Sequence, residues 1–321
     1  MVCLGKVSFG VFLPSYAISA KKKAGEPYFD VVRDMVLECE RLGYDSVQLD
    51  DHLMYRKMPI LECWTELSAL SSLTRRIRLG TMVLSVLFRN PALLAKMAAT
   101  LDVVSNGRLD FGIGAGVQEN EHTAYGMGFP KPSERIERLR EAVLILKKLW
   151  TEDEACYVGK HYSVSGVVCE PKPMQKPHPP ITIGGGGEKL TLKVQAELAD
   201  RIDWGYLPTL EVYERRLQIL RDYCRVVGRD FDEIEKSAWL GGQIFMAEDE
   251  RALSLKISHW KPDNVAVADF KKLNLVGTPS EIFRKIRLYM SLGVTHFMLF
   301  FGDFPSVDGV RLFAEQVLSE V

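Results

Sequence analysis

Cysteine is scarce in this sequence and never occurs in closely spaced pairs. The six cysteines are scattered along the chain, and no two of them form a C-x-x-C pair. That spacing argues against a zinc site, an iron–sulfur cluster and a thioredoxin-like redox centre, all of which need clustered thiolates. A chain of 321 residues also buries enough surface to be stable without disulfides or a structural metal. We therefore expect reduced thiols and no metal site.

Long apolar stretches are missing as well. A bilayer span needs about 18 uninterrupted apolar residues, and the longest candidate, near Phe297–Phe301, is far shorter. The N-terminal segment lacks the apolar core and the small-residue cleavage site of a signal peptide. These absences predict a cytoplasmic protein with no membrane segment.

Neither sign of charge dominates the sequence. It has 41 lysines and arginines against 42 aspartates and glutamates, a formal net charge of −1. This balance gives no general attraction for nucleic acid or for an anionic membrane, so we expect a small-molecule substrate and no nucleic-acid partner. One local run, Lys21–Lys23, is either a solvated surface or a docking site for an acidic tail.

Several well-known catalytic motifs are absent too. No H-E-x-x-H, G-x-S-x-G or G-x-x-x-x-G-K-[ST] pattern occurs, which disfavours zinc proteolysis, serine hydrolysis and P-loop chemistry. Gly112 and Gly114 begin a G-x-G-x-x-G pattern, but Val117 stands at the third glycine position. The Rossmann fingerprint is therefore excluded.

What the sequence does contain is a regular alternation of short apolar runs with longer segments of helical periodicity. Parallel strands joined by right-handed helical crossovers follow from that alternation, and eight strands favour closure into a (β/α)8 TIM barrel of the α/β class. An open, doubly wound sheet is the alternative. The eight predicted strands are Val7–Leu13, Ser46–Leu49, Ile77–Leu84, Leu109–Ile113, Ile181–Ile183, Arg201–Gly205, Ser237–Met246 and His296–Phe301.

The length fits one barrel that carries insertions. We expect a single domain over residues 1–321, with insertions at about residues 151–180 and 247–275. The first insertion is rich in proline and glycine and predicts a hairpin followed by an extended return. The second has no clear periodicity, which predicts irregular structure.

Local signals also place several helix ends. Gly43 is expected to end one helix, and Asn90 followed by Pro91 is expected to begin another. Ser133 is a candidate N-cap for a long helix over Glu134–Trp150, although the full capping box is missing.

In a TIM barrel the chemistry lies at the carboxyl ends of the strands, and glycine follows the fourth predicted strand. Gly114 and Ala115 stand at that point. Glycine there either lets a flat ring approach the backbone or permits tight packing, and the spacing does not decide between the two.

Four consecutive glycines follow the fifth predicted strand: Gly184, Gly185, Gly186 and Gly187. They precede a helix that is expected to begin near Glu188, so several N–H groups and a helix N-terminus converge at one point. This run is the best candidate for a phosphate site. A flexible linker is the alternative interpretation.

Carboxylates and imidazoles occur at two other strand ends. Asp51 and His52 follow the second predicted strand, where a carboxylate beside an imidazole suits proton transfer near neutral pH. A helix cap with a solvated histidine is the alternative. Glu119, Glu121 and His122 follow the glycines of the fourth strand and are candidates for the same mouth, although a polar loop would look identical.

A series of segments occurs in a fixed order along the chain: Arg41–His52, Leu61–Thr65, Arg76–Val83, Arg89–Arg108, Gly112–Gly116, Glu119–His122, Ala124–Gly126 and Pro180–Gly187. Each is a modest pattern alone. In this order, over nearly the whole length, they resemble the luciferase-like monooxygenase superfamily, and within it the oxidoreductases that use the deazaflavin coenzyme F420.

The resemblance implies a bacterial luciferase-like barrel with the cofactor ring in the mouth. His52 resembles the histidine that acts in proton transfer beside the reactive ring edge in related dehydrogenases, with Asp51 as its neighbour. Thr81, Met82 and Val83 resemble a bulge after the third strand that braces the ring. In related deazaflavin enzymes this bulge contains a non-prolyl cis peptide, expected here between Met82 and Val83.

The same resemblance places Gly114, Ala115 and the run Gly184–Gly187 at the cofactor, with the run on its phosphate. It implies hydride transfer between C5 of coenzyme F420 and a small organic substrate, in a homodimer or homotetramer. A monooxygenase that uses FMN with a separate reductase is the alternative, and a ligand-binding protein without chemistry is a third hypothesis. Val117 stands where some sugar-phosphate dehydrogenases of the family have glutamate, which argues against such a substrate.

Overall fold

Eight parallel strands form a closed barrel in the computed structural model of the protein, which describes residues 7–14, 27–206 and 209–320. Around the barrel the strand order is β3-β2-β1-β13-β10-β9-β8-β5, and pairing of β3 with β5 closes it. The strands are β1 (Ser8–Phe12), β2 (Ser46–Leu49), β3 (Arg78–Thr81), β4 (Leu84–Ser85), β5 (Leu109–Gly114), β6 (Ala155–Val158), β7 (Ser163–Val167), β8 (Ile181–Gly184), β9 (Arg201–Asp203), β10 (Glu235–Trp239), β11 (Ile244–Met246), β12 (Leu275–Gly277) and β13 (Val294–Leu299).

Closure confirms the (β/α)8 barrel and rules out the open, doubly wound sheet. Every predicted strand overlaps one strand of the barrel. In the described ranges no helix is both long and apolar enough to cross a membrane. The helices are α1 (Tyr28–Leu42), α2 (Cys63–Leu73), α3 (Pro91–Val104), α4 (Glu119–Ala124), α5 (Pro132–Thr151), α6 (Thr191–Leu198), α7 (Leu210–Val227), α8 (Glu250–Trp260), α9 (Val267–Leu273), α10 (Pro279–Met290) and α11 (Asp308–Gln316), with 3₁₀ turns at Phe231–Glu233 and Leu318–Glu320.

The barrel strands are buried on both faces, which explains why their sequences are nearly continuous apolar runs. Every residue of β2, β5 and β8 is buried, as expected where helices cover one face and the barrel interior the other. The charged residues Asp110 and Arg201 are paired inside the barrel. Asp110 accepts hydrogen bonds from Gln48 Nε2 at 2.6 Å and from Arg201 Nη1 at 2.9 Å. Burial opposes ionisation of Asp110, but the Arg201 charge outweighs it and lowers the Asp110 pKa to about 2.

Most of the predicted helix ends are confirmed. Gly43 ends α1 in the left-handed region at φ 89°, and Asn90 Oδ1 caps α3 by accepting the N–H of Ala92 at 2.9 Å. The prediction for Ser133 is wrong. Helix α5 begins one residue earlier, at Pro132, and has no side-chain cap, because proline's fixed φ already suits the first helical position.

The predicted strand Ser237–Met246 is two strands. Strand β10 ends at Trp239 in the barrel, and β11 begins at Ile244 and pairs with β12 outside the barrel. The chain turns at Gly241, whose φ of 101° is unfavourable for other residues. A Cβ there would also lie 2.9 Å from the backbone nitrogen of Leu275. The glycine therefore breaks an apolar run that periodicity alone joins together.

The two insertions differ from each other in outcome. Residues 155–167 form the expected hairpin, with β6 antiparallel to β7. Residues 247–275 are not irregular, because they contain α8 and α9. These helices bury a small apolar cluster of their own, separate from the main core: Phe245, Ala247, Leu253, Ile257 and Phe270. With so few core positions the apolar pattern of this segment is weak, which is why periodicity missed the helices.

Candidate functional site

A cavity of about 780 Å³ opens at the carboxyl ends of the strands. Its size is within the range of cofactor and substrate sites, about 300–1,000 Å³. The ends of β2, β5 and β8 form its wall together with α4, α5 and α7. The predicted site residues that line it are Asp51, His52, Met82, Val83, Gly114, Ala115, Gly184, Gly185, Gly186 and Gly187.

His52 lies in this cavity and is oriented by a buried carboxylate. Its Nδ1 is 2.9 Å from Oε1 of Glu121, and the other Glu121 oxygen accepts the Leu53 N–H at 3.1 Å. A carboxylate only accepts hydrogen bonds, so Nδ1 is the protonated nitrogen of this pair. The His52 side chain is 19% exposed and that of Glu121 2%. Nε2 of His52 bonds no residue within the described ranges and is therefore the nitrogen available to a ligand.

Asp51 is held in a different arrangement from the one expected. Its carboxylate receives two hydrogen bonds from Arg89, at 2.8 and 2.9 Å, and a third from the Ser85 N–H at 2.9 Å. Arg89 also pairs with Glu62 at 2.5 Å. Burial disfavours the Arg89 charge, but the bonds to Asp51 and Glu62 outweigh it and raise the Arg89 pKa. The carboxylate partner of His52 is thus Glu121, and Asp51 fixes the segment after β3.

The bulge after β3 has the backbone conformation that the resemblance implies. The peptide bond between Met82 and Val83 is cis, which confirms that prediction. The Met82 N–H donates to the Leu49 carbonyl at 2.8 Å, so the bulge is fastened to β2. Thr81 does not reach the cavity. Its buried hydroxyl donates to the carbonyl of Gly112 at 2.7 Å and joins β3 to β5.

The glycines at the ends of β5 and β8 are explained by the side chain of Val83. A Cβ on Gly114 or on Gly184 would lie 2.8 Å from Val83 Cγ2, closer than carbon atoms pack. Of the two readings left open for Gly114, tight packing is therefore the one that the geometry supports. The two glycines let Val83 sit between the strands at the floor of the cavity.

The glycine run forms a loop at the cavity wall and does not lead directly into a helix. Helix α6 begins at Thr191 and not near Glu188. The Gly185 N–H donates to the Asp203 carbonyl at 2.9 Å. The N–H groups of Gly186 and Gly187 make no hydrogen bond to any residue that the structure describes. They remain available to an anion in the cavity.

Comparisons with known proteins agree with this arrangement. The family profile described as luciferase-like monooxygenase matches residues 7–296. The coenzyme F420-dependent glucose-6-phosphate dehydrogenase of Microbacterium testaceum is 30% identical over 89% of this chain and 91% of its own length. The chain belongs to the luciferase-like monooxygenase family.

Several solved structures share the fold of this luciferase-like chain. An F420-dependent secondary alcohol dehydrogenase has a TM-score of 0.79 at 19% identity and covers 98% of this chain and 99% of its own. The EDTA monooxygenase of Chelativorans has a TM-score of 0.82 at 14% identity, with 98% and 93% covered. At these identities the likeness concerns the fold alone.

In this luciferase-like chain a second histidine of the motif after β5 is structural. His122 is fully buried between the rings of Phe88 and Phe129. Its Nδ1 lies 2.6 Å from the Gln118 carbonyl, so Nδ1 carries a proton. Nε2 lies 3.0 Å from the Ser85 hydroxyl and can accept a hydrogen bond from it. Ser85 therefore presents a fixed hydroxyl at the cavity wall, a contact that sequence reasoning missed.

The positive charges of the cavity were also missed. Arg135, Lys189 and Arg216 line it, as do three acids, Asp51, Glu121 and Glu188. The three cations belong to different elements, and no local motif marks them. The run Lys21–Lys23, the other candidate docking site for an acidic group, lies outside the described residues. Across those residues no group of three or more histidines, cysteines and acids is arranged to hold a metal ion.

Proposed function

We propose that this protein is a coenzyme F420-dependent oxidoreductase that transfers a hydride between the deazaflavin and a small organic substrate. The observation that carries the proposal is the His52–Glu121 pair, which faces the same cavity as the Met82–Val83 cis bulge. Support for the cofactor comes from relatives named F420-dependent glucose-6-phosphate dehydrogenases, 27 to 30% identical over more than four-fifths of this chain.

The residues of the cavity fit a cofactor with an aromatic ring and a phosphate. Met82 and Val83 would give a ring an apolar floor, and Ser85 presents a hydroxyl to the same cavity. The free N–H groups of Gly186 and Gly187 lie on the same cavity wall and suit phosphate oxygens. We infer that these residues hold the cofactor.

When bound, coenzyme F420 accepts or donates a hydride at C5 of its ring. The protein then has to move one proton, and His52 does so at Nε2. Glu121 binds the Nδ1 proton and so keeps Nε2 as the exchanging atom. In substrate oxidation Nε2 receives the proton that the substrate loses, and in reduction it supplies that proton. Asp51 is a positioning residue, because Arg89 and the Ser85 N–H occupy its carboxylate.

We propose that the substrate is not a sugar phosphate. Val117 lies at the lip of the cavity and is 78% exposed. It stands where the resemblance places a glutamate in some sugar-phosphate dehydrogenases. An aliphatic side chain can neither accept a hydroxyl hydrogen bond nor move a proton. We therefore propose a less polar substrate whose proton exchange relies on His52.

Titration with each cofactor tests the proposal. We expect saturable binding of coenzyme F420, followed by its fluorescence, and no binding of FMN at similar concentrations. Tight FMN binding with oxygen uptake, and no deazaflavin binding, would establish the monooxygenase alternative instead.

A matched pair of variants tests the role of His52. We expect His52→Asn to bind the deazaflavin as the wild type does but to lose at least about 100-fold in turnover, the usual scale for general acid–base catalysis. Glu119→Gln is the control, since Glu119 lies on the same helix as Glu121 but does not line the cavity. Turnover is screened with reduced cofactor against alkenes, imines, aldehydes and nitro compounds. Wild-type binding with no oxidation by any of them would favour a binding protein.

A further inference from the structure

Of the two arginines that line the cavity, Arg216 makes the fewer contacts with other described residues. It projects from α7 onto the glycine loop, where a Cβ on Gly186 would lie 2.6 Å from Arg216 Cζ. A side chain at position 186 would displace the guanidinium from this place. The arginine therefore lies directly against the loop, although the two are far apart in sequence.

The charge of Arg216 is only weakly compensated. Among the described residues its acidic neighbour is Glu188, at 3.8 Å from Nε, and that carboxylate is bound more closely by Arg215, at 2.5 Å. Nε of Arg216 is buried without a hydrogen-bond partner, and the guanidinium donates to no residue of the described part of the chain. Burial lowers the Arg216 pKa, and Glu188 compensates only in part. A partly buried cation whose Nε has no hydrogen-bond partner is costly unless a ligand supplies one.

Arg135, the other arginine of the cavity, is engaged within the protein. Its Nη1 donates to the Pro130 carbonyl at 2.9 Å. Its guanidinium also stacks on the Phe129 ring, with Cζ 3.9 Å from the ring centroid. The contrast singles out Arg216 as the arginine that is free to bind an anion beside the glycine loop.

We propose that Arg216 binds the phosphate of the cofactor, together with the N–H groups of Gly186 and Gly187. The inference rests on the proposed function, because it takes coenzyme F420 as the anion. A guanidinium binds phosphate through two parallel hydrogen bonds, which fixes the phosphate as well as attracting it. Arg216 thus sets affinity for the phosphorylated cofactor and takes no part in the chemistry at the ring.

A binding cycle with two ligands tests this role. Affinities of the wild type and Arg216→Gln are measured by fluorescence for coenzyme F420 and for its deazaflavin core with the ribityl chain but without the phosphate. We expect the substitution to weaken F420 binding roughly 10- to 100-fold, the worth of a charge-assisted hydrogen bond. Affinity for the phosphate-free core should stay unchanged.

Three further variants make the test independent of any folding defect. Gly186→Ala displaces the guanidinium from the opposite side and should reproduce the phosphate-specific loss. Arg216→Lys keeps the charge but loses the paired hydrogen bonds, so an intermediate loss is expected. Arg215→Gln is the matched control, because Arg215 is largely exposed and already bound to Glu188, and it should weaken binding less than about threefold.

The outcomes separate this inference from the proposed function. Equal losses for the ligands with and without phosphate, or a loss in Arg215→Gln as large as in Arg216→Gln, would overturn the role of Arg216. If the wild type binds neither deazaflavin but binds FMN, the proposed function fails, and the cycle is run with FMN and riboflavin. A loss confined to FMN would then support Arg216 as the phosphate residue, and equal losses would overturn it.

Discussion

Val83 occupies the space at the ends of two barrel strands and leaves room for no other side chain there. It follows the cis bond of the bulge and packs against Gly114 and Gly184, each of which would bring a Cβ within 2.8 Å of it. The floor of the cavity therefore depends on one valine and two glycines that belong to three separate segments. Packing of this density tolerates no added methyl group without displacement.

Gly184→Ala tests this packing. We expect a loss of about 1–3 kcal/mol in the free energy of unfolding, because the new methyl group overlaps both methyl groups of Val83. The loss is measured by denaturant unfolding. Gly128→Ala is the control, since nothing lies within 4 Å of its Cβ position. Val83→Ala in the Gly184→Ala background should recover part of the loss, and strict additivity of the two substitutions would contradict the contact.

Residues within contiguous motifs were predictable at this scale, and residues that act across the fold were not. His52 stands at a strand end, and the cis bond at Met82 was implied by the family resemblance of its segment. Glu121 was weighed together with Glu119, but the choice needs a contact between residues 69 positions apart. No sequence motif marks Arg216, because its role depends on the glycine loop that lies against α7 in the folded protein.

Elements were predicted well where the hydrophobic period was strong. The eight barrel strands are short apolar runs buried on both faces, a pattern that survives without knowledge of the fold. Errors fall where one glycine or proline overrides periodicity, as at Gly241 and Pro132. The segment with α8 and α9 was missed because it packs mainly around its own small cluster. Its connection to the barrel includes the ion pair of Lys256 with Asp303.

That ion pair is expected to control the order of α8 and α9. Lys256 Nζ lies 2.6 Å from Oδ2 of Asp303, which follows β13, and 3.0 Å from the Met246 carbonyl. Lys256→Met leaves the Asp303 carboxylate buried without its counter-charge, at a cost of roughly 3 kcal/mol. Hydrogen exchange should then show faster exchange in α8 and α9 than in the barrel strands.

Lys261→Met is the control for this element. Lys261 lies just after α8, and its Nζ donates to the backbone carbonyls of Pro262 and Val265. It should leave exchange in α8 nearly unchanged. If both variants exchange alike, or if Lys256→Met speeds exchange evenly across the barrel, the ion pair does not anchor this segment.

At the scale of the whole molecule, a net charge of −1 conceals two different electrostatic regions. The mouth holds three cations, and one of them, Arg216, has its nearest described carboxylate 3.8 Å away, which suits an anionic cofactor. The barrel interior holds charges that are paired, such as Asp110 with Arg201 at 2.9 Å. Closure of the barrel was predictable from the number of strands. The different charge arrangements of the mouth and the interior were not, because the polar residues of the interior come from separate strands. The homodimer or homotetramer stays a prediction.

His296 gives the barrel interior a measurable signature. Its Nδ1 lies 2.9 Å from the hydroxyl of Ser237, which itself donates to Asp203 at 2.7 Å. Burial, followed by the Arg201 charge, lowers the His296 pKa to about 3, and Asp110 offsets this only in part. The ring therefore stays neutral in the folded protein over most of the acidic range.

The sign of the resulting pH dependence follows from proton binding. An unfolded histidine has a pKa of about 6.5, so between that value and about 3 the unfolded chain binds a proton at His296 that the folded barrel does not. Stability is then lost as the pH falls through this window, by up to about 1.4 kcal/mol per pH unit from this one group. Above about pH 6.5 the term vanishes.

His296→Asn isolates this contribution, because the asparagine amide can still donate to Ser237. Unfolding free energies at pH 6, 5.5 and 5 should fall less steeply in the variant than in the wild type, by about 1 kcal/mol over that interval. His259→Asn removes an imidazole from the exposed surface of α8 and controls for the loss of a histidine as such. Parallel curves for the wild type and His296→Asn would show that the buried ring does titrate in the folded barrel, and that the interior is less isolated from water than its packing indicates.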